Sequence, residues 1–300
     1  MEKDKMGISI IVCSINPELC NQMLESVKNT IGTDYETIIF DNREKNAGIC
    51  QIYNSCAQKA NFPYLCFIHE DIIMPSPNWG INMIAFSEKA PNCGVIGFAG
   101  STVVKKNFYE WYNGEEKSRY RFYEPSKHAD KTNNINDLSY KYNNPDNEEF
   151  AKVVVVDGLF LFVKQNIWKE NPFDKERIKG FHFYDADFSF GIAQKWQNYV
   201  CLSSDIYHFS KGKQDRTYFE NARIFQKKWK HVLPFSLDKQ KIGTIDEINN
   251  AAYLFYRTYQ GGIKNSIKHF VEMNGLFHFF IFCVLMPVTM IRKVIRKIKQ

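Results

Sequence analysis

The chain has 300 residues, 44% of them hydrophobic and 15% aromatic, and carries a formal net charge of +6. That is enough apolar material for one large domain or two small ones. Most of the positive excess lies in one place, since Arg292, Lys293, Arg296, Lys297 and Lys299 occur with no acid among them, so the body is close to neutral and a basic, nucleic-acid-binding body is excluded.

The eight cysteines, Cys13, Cys20, Cys50, Cys56, Cys66, Cys93, Cys201 and Cys283, include no C-x-x-C pair, which removes the zinc-ribbon and thioredoxin-like readings. The first residues are charged and lead straight into an apolar run without a signal-peptide core. Reduced thiols and a cytoplasmic setting are expected.

Ile8 to Val12 reads as a β-branched strand ending at Cys13 and Ser14. Asn16-Pro17 starts a helix, because asparagine caps well and proline suits the first turn. Leu19, Met23, Val27 and Ile31 mark its buried face, and Gly32 stops it. Glu36 to Phe40 is a second strand that delivers Asp41 and Asn42. Asn46-Ala-Gly48 opens a second helix. Tyr64 to Ile68 is a third strand, wholly apolar, and it ends abruptly in His69, Glu70 and Asp71. Ile81 to Lys89 reads as helix and Gly94 to Gly97 as strand. This alternation predicts parallel pairing in a doubly wound sheet.

From 101 to 151 the chain is rich in Tyr, Asn, Lys and Glu and holds no period, which suits a long functional excursion. Trp111 and Tyr112 are its best candidates for touching a ligand. Order returns with Val153 to Val156, Asp157-Gly158 and Leu159 to Val163. Phe181 to Asp187 then leads into a helix, and Tyr199 to Leu202 is a strand before Tyr207-His208. Residues 213–262 read as a polar helical extension. The stretch 263–300 reads as a membrane-associating tail: an almost wholly apolar run from Gly275 to Ile291, then the basic cluster opposite Ile291, Val294, Ile295 and Ile298.

No G-x-G-x-x-G, G-x-x-x-x-G-K-[ST] or G-x-S-x-G motif occurs, so dehydrogenases, P-loop enzymes and α/β-hydrolases lack support. Acids stand at strand ends instead: Asp41, Asp71, Asp157, Asp185 and Asp187. Carboxylates converging on the mouth of a sheet repel unless a cation lies between them. A hard divalent metal and a phosphate-bearing ligand are therefore expected.

In this order and spacing, Ile8-Ser-Ile-Ile-Val-Cys-Ser14, Tyr35 to Asn42, Asn46-Ala-Gly48 with Asn54, and Phe67-Ile-His69-Glu70-Asp71 resemble the nucleotide-sugar half of inverting GT-A glycosyltransferases of family 2. Asp157-Gly158, Phe183-Tyr184-Asp185-Ala-Asp187 and Tyr207-His208 resemble the acceptor half. The resemblance implies an α/β fold of GT-A (Rossmann-like) type, a mostly parallel sheet sandwiched by helices. The catalytic domain would span 1–212, divided as 1–100, an irregular insertion at 101–151, and 152–212. It further implies that Cys13, Ser14, Asp41, Asn54, His69, Glu70, Asp157 and Gly158 bind the nucleotide-sugar donor. Asp71, His208 and His69 would hold Mn2+ or Mg2+, and Asp185 would be the general base.

Two positions depart from the pattern: His69 stands for the first acid of D-x-D, and Tyr184 for the glutamate of the Glu-Asp pair. Imidazole favours Mn2+ over Mg2+. The expected function is metal-dependent, inverting sugar transfer to a glycan or lipid-linked acceptor, in surface polysaccharide synthesis. The tail would hold the protein peripherally on the inner face of the cell membrane, with no nucleic-acid partner. A degenerate membrane-bound scaffold and a nucleotidyltransferase on a related sheet are the competing readings.

Overall fold

A computed structural model describes residues 6–126, 129–237, 244–258 and 265–275. The chain divides into two compact units, Met1–Val103 with Trp111–Lys213, and Val104–Glu110 with Gln214–Gln300. The first unit begins β1 (Ile8–Ser14), α1 (Pro17–Thr30), β2 (Tyr35–Asp41), α2 (Ile49–Ala57) and β3 (Tyr64–Ile68). It continues with β4 (Ile72–Ile73), α3 (Trp79–Lys89), β5 (Cys93–Gly97) and β6 (Ala99–Ser101), and β7 (Val103–Val104) follows. Next come β8 (Ser118–Pro125), β9 (Leu138–Asn143), β10 (Phe150–Val153), β11 (Val155–Val156) and β12 (Phe160–Lys164). The unit ends with α4 (Gln165–Glu170), α5 (Tyr184–Ala193), β13 (Gln197–Cys201) and β14 (Tyr207–His208).

The central sheet has seven strands in the order β10-β13-β5-β12-β3-β1-β2. Strand β1 pairs in parallel with β2 from Ile8–Tyr35 to Ser14–Asp41, and with β3 from Ile8–Tyr64 to Val12–Ile68. Because these registers run in step, the carboxyl ends of all three strands finish at one edge. Every residue of β3 is buried, as a continuous apolar run between two covered faces requires. Strand β2 alternates half-buried and exposed residues, which suits its place at the sheet's margin.

The sheet is more mixed than the alternation predicts. Strand β12 runs antiparallel to β3 and β5, and β10 runs antiparallel to β13. A parallel pair needs a long crossover, and β12 is reached from the short β11 rather than from a helix.

A second sheet has the order β11-β6-β8-β14-β4, with β9 on β8. Strands β8 and β9 arise from the stretch 101–151, where the sequence predicts an irregular excursion. They pair antiparallel from Tyr120–Asn143 to Pro125–Leu138. Their residues are mostly half-buried on both faces, so no clean two-residue alternation marks them in the sequence.

Local chemistry fixes the elements that frame the crevice. The Asn16 side chain accepts hydrogen bonds from the Glu18 and Leu19 N–H groups, and Pro17 fills the first helical position of α1. Gly32 follows this helix at φ +72°, and a Cβ there would lie 2.5 Å from Asn78 Oδ1. Asn198, fully buried, clamps three elements: its Oδ1 accepts from Val95 N at 2.9 Å, and its Nδ2 donates to the Val154 and Ser189 carbonyls at 2.7 Å.

In the second unit, α6 (Arg216–Trp229) and α7 (Thr244–Thr258) carry Phe219, Phe225, Ala251 and Leu254 into a core that includes Phe108. Asp215 caps α6 by accepting from Tyr218 N. The Glu247 carboxylate accepts from the Lys106 and Asn107 N–H groups at 2.6 and 3.1 Å. Among the described residues no helix is long and apolar enough to cross a membrane. The expected tail lies outside the described residues from 276 onward.

Replacing Asn198 by Ala removes the side-chain partner of the buried Val95 N–H and Val154 carbonyl, and the second donor to the Ser189 carbonyl. The expected loss is on the order of 3 kcal/mol, read from the midpoint of urea unfolding.

Candidate active site

Three side chains from two elements of the second sheet and the end of β3 meet at one point. His69 follows β3, and its N–H donates to the Leu159 carbonyl at 3.2 Å. Asp71 immediately precedes β4, and its carbonyl accepts from Phe209 N at 2.9 Å, which ties it to β14. His208 is the last residue of β14 and lies opposite Ile72. Asp71 Oδ1 is 4.0 Å from His69 Nδ1 and 3.5 Å from His208 Nε2, and Asp71 Oδ2 accepts from Ser210 Oγ at 2.5 Å. One ligand atom from each of His69, Asp71 and His208 lies within 4.8 Å of the others.

Electrostatics bind the cluster. Burial works against ionisation of Asp71, yet the two imidazoles and the Ser210 hydroxyl hold its carboxyl well below the usual range. Burial likewise opposes the His208 cation, but Asp71 outweighs it and raises that group. For His69 burial wins, and the imidazole is held neutral below its ordinary range.

The residues present fit a divalent cation. The Nε2 of His208 is buried and makes no hydrogen bond, although the Asp71 carboxylate lies 3.5 Å away. A buried polar nitrogen aimed at a carboxylate and a second imidazole is a costly arrangement without an ion. Two imidazoles and one carboxylate form a mixed nitrogen and oxygen donor set, which suits Mn2+ better than Mg2+.

Asp185 stands in the first turn of α5. The helix starts at Phe183, a bulky residue held at φ +65°, ψ +2°, a left-handed conformation that costs about 1–2 kcal/mol outside glycine. Burial, followed by the charge of Asp157, pushes the Asp185 carboxyl up to about 7, against the N–H groups of Ala186 and Gly158 that favour its anion. Asp157 Oδ1 accepts from Leu159 N at 3.1 Å. Gly158 packs so closely that a Cβ would lie 2.3 Å from the Tyr184 hydroxyl and 2.9 Å from Asp185 Cβ. Asp157, Gly158, Asp185, His69, Asp71 and His208 are thus one connected neighbourhood, with His69 and His208 both feeling the Asp157 charge.

The remaining sequence candidates fall into two groups. Glu70 turns toward the β1–α1 junction, where its carboxylate accepts from Ser14 Oγ at 2.6 Å, Ile15 N at 3.1 Å and Asn16 N at 2.9 Å. Cys13 lies beside it as a neutral thiol, pushed up to about 12 by burial and by the Glu70 charge. Asp41 and Asn54 have other partners. Arg43 grips Asp41 with two nitrogens and lowers its carboxyl to about 2. Asn54 Oδ1 accepts from Trp168 Nε1 and Phe173 N, and its Nδ2 donates to the Phe173 carbonyl. Trp111 packs edge-on against Tyr112, Tyr120 and Phe122. Sequence reading missed Ser210 and gave Tyr184 no positive role; a serine two residues after a candidate histidine carries no signal of its own.

Residues 9–229 match the model of the glycosyltransferase-like family. The chain belongs to that family. No curated relative matches it. Among solved structures it is similar to GalNAc-T7 with UDP, GalNAc and Mn2+, at 11% identity and a TM-score of 0.53, covering 90% of this chain and 57% of that one. It is similar also to Staphylococcus aureus TarS 1-349 in complex with UDP, at 11% identity and a TM-score of 0.52, covering 96% of this chain and 87% of that one. The same S. aureus protein in complex with UDP-GlcNAc gives a TM-score of 0.52 at 11% identity, covering 89% and 81%. The chain spans 57% of the GalNAc-T7 length. At these identities the likeness is one of fold, and the fold is the GT-A fold of glycosyltransferases, with further helices after the sheet.

Asp185 yields a test of the electrostatics. A carboxyl raised in the folded state keeps its proton from the ordinary carboxylate range up to about 7, so folding stability falls as pH rises across that window. The variant Asp185→Asn of the metal-free protein is expected to gain several degrees in Tm at pH 8 and little at pH 4, measured by calorimetry.

Proposed function

We propose that this family member is a metal-dependent inverting glycosyltransferase that moves a sugar from a nucleotide-sugar donor to an acceptor hydroxyl. The observation that carries the reading is the joining of a His-Asp-His donor set to a half-buried carboxylate, Asp185, in one neighbourhood beside Gly158. A divalent cation held by His69, Asp71 and His208 would neutralise the donor's diphosphate and the charge of the leaving nucleotide. Asp185 is suited to the other half of the reaction. Its carboxyl, raised to about 7, takes the proton from the acceptor hydroxyl as that oxygen attacks the anomeric carbon from the side opposite the leaving group. With its carboxyl raised to about 7, a large share of Asp185 is already ionised at neutral pH, and the share able to accept a proton grows as pH rises through that value.

UDP is the first nucleotide to try, because GalNAc-T7 and TarS were each solved with it. The acceptor would be a glycan or a lipid-linked glycan of surface polysaccharide synthesis, and the apolar and basic residues beyond 275 would bring the site to the cytoplasmic membrane face. That part rests on the sequence pattern alone: an apolar run followed by five basic residues suits an interfacial anchor.

The test combines binding and turnover. UDP with Mn2+ is expected to raise Tm by mass action more than either does alone, and Asp71→Ala is expected to remove the Mn2+-dependent part. Asp185→Asn is expected to keep the UDP-Mn2+ shift and to lower sugar transfer by ~10²–10⁴-fold. Near-normal turnover in that variant would overturn the assignment of the base. A UDP shift indifferent to Mn2+ would overturn the metal site.

A further inference from the structure

Both departures from the family's acid pairs, His69 and Tyr184, stand against each other. His69 Nε2 is 2.8 Å from the Tyr184 hydroxyl oxygen, and the same hydroxyl is 3.0 Å from the Gly158 carbonyl. A carbonyl can only accept, so the one phenolic proton goes to Gly158 O. The phenolic oxygen is then an acceptor toward His69, and the proton of that hydrogen bond sits on Nε2. The Tyr53 ring meets Tyr184 edge-on with its hydroxyl nearby, and a proton donated from Tyr53 to the same oxygen leaves this count unchanged.

We propose that Tyr184 is a positioning residue that locks His69 in the tautomer protonated on Nε2, leaving the Nδ1 lone pair turned toward Asp71 as a ready metal ligand. The inference rests on the metal-site reading above and deepens it. The geometry is consistent from both ends of the ring: Nε2 faces Tyr184, and Nδ1 faces Asp71 Oδ1 at 4.0 Å. Tyr184 is buried and cannot swing away, because its ring lies against Tyr53 and Phe173 while its hydroxyl closes on Gly158. The arrangement also accounts for why the two departures occur together. Two carboxylates at hydrogen-bond distance would repel, whereas an imidazole and a phenol share one neutral hydrogen bond. Partners of this kind orient a ligating histidine and fix which nitrogen carries its lone pair.

The test uses the full chain, with two readouts. In metal-free protein, ¹⁵N NMR of the His69 ring is expected to report a protonated Nε2 and an unprotonated Nδ1, and Tyr184→Phe is expected to mix the two tautomers. Mn2+ affinity, followed by the EPR signal of free Mn2+, is expected to fall ~10–100-fold in Tyr184→Phe. In a His69→Ala background the same phenylalanine substitution is expected to change Mn2+ affinity no further, because Tyr184 acts through His69. An unaltered ¹⁵N pattern in Tyr184→Phe overturns the proposal. So does a loss of Mn2+ affinity equal in both backgrounds, which would mark a merely structural role. The NMR arm needs no cation. A wild-type chain that binds no Mn2+ therefore sinks the metal site on its own, and the spectrum still judges the tautomer lock.

Discussion

Asp71 is the point on which the arrangement turns. Its two carboxylate oxygens face His69, His208 and Ser210, and its carbonyl accepts from Phe209. One residue thus ties the end of β3, the start of β4 and the end of β14 together through both its side chain and its main chain. A carboxylate held ionised in a largely buried place needs compensating positive charge. The His208 imidazole, raised by this same carboxylate 3.5 Å away, supplies part of it, while His69 is held neutral and brings a lone pair rather than charge.

The register of β1 with β2 and β3 decides why such a cluster forms at that edge. In-step parallel pairing brings the ends of these strands level, so that Ser14, Asp41 and the His69-Glu70-Asp71 run gather at one edge. This is the carboxyl-end crevice of an open α/β sheet. The sequence made it legible, because an unbroken apolar run from Tyr64 to Ile68 that stops at His69 can be read without a structure. The start of α1 was legible for a similar reason: the Asn16 side chain and the Pro17 ring act on backbone within three residues of themselves.

What could not be read depends on partners far along the chain. Strands β8 and β9 are half-buried on both faces and so lack the period that separates an inner from an outer side. The reversed direction of β12 follows from what precedes it, not from its composition. Asn198 and Ser210 are ordinary polar residues in the sequence, and only the fold brings Val95, Ser189 and Asp71 to them. Asp41 and Asn54 are donor-binding candidates by resemblance alone, and in the structure Arg43 engages one and the Trp168–Phe173 segment the other. Tyr184 read as a lost acid; in the structure it is the hydrogen-bond partner of the histidine that replaced the other one.

Glu70 has a consequence for how a phosphate could be held. The positive end of a helix is an ordinary berth for a phosphate, yet at α1 that berth is filled from within, by a carboxylate gripping Ser14, Ile15 and Asn16. A pyrophosphate entering this crevice meets a like charge where many α/β proteins offer it a cradle of amides. Its countercharge would have to come from elsewhere, and the His-Asp-His cluster, two of whose members flank Glu70 in the chain, is a neighbourhood able to gather it.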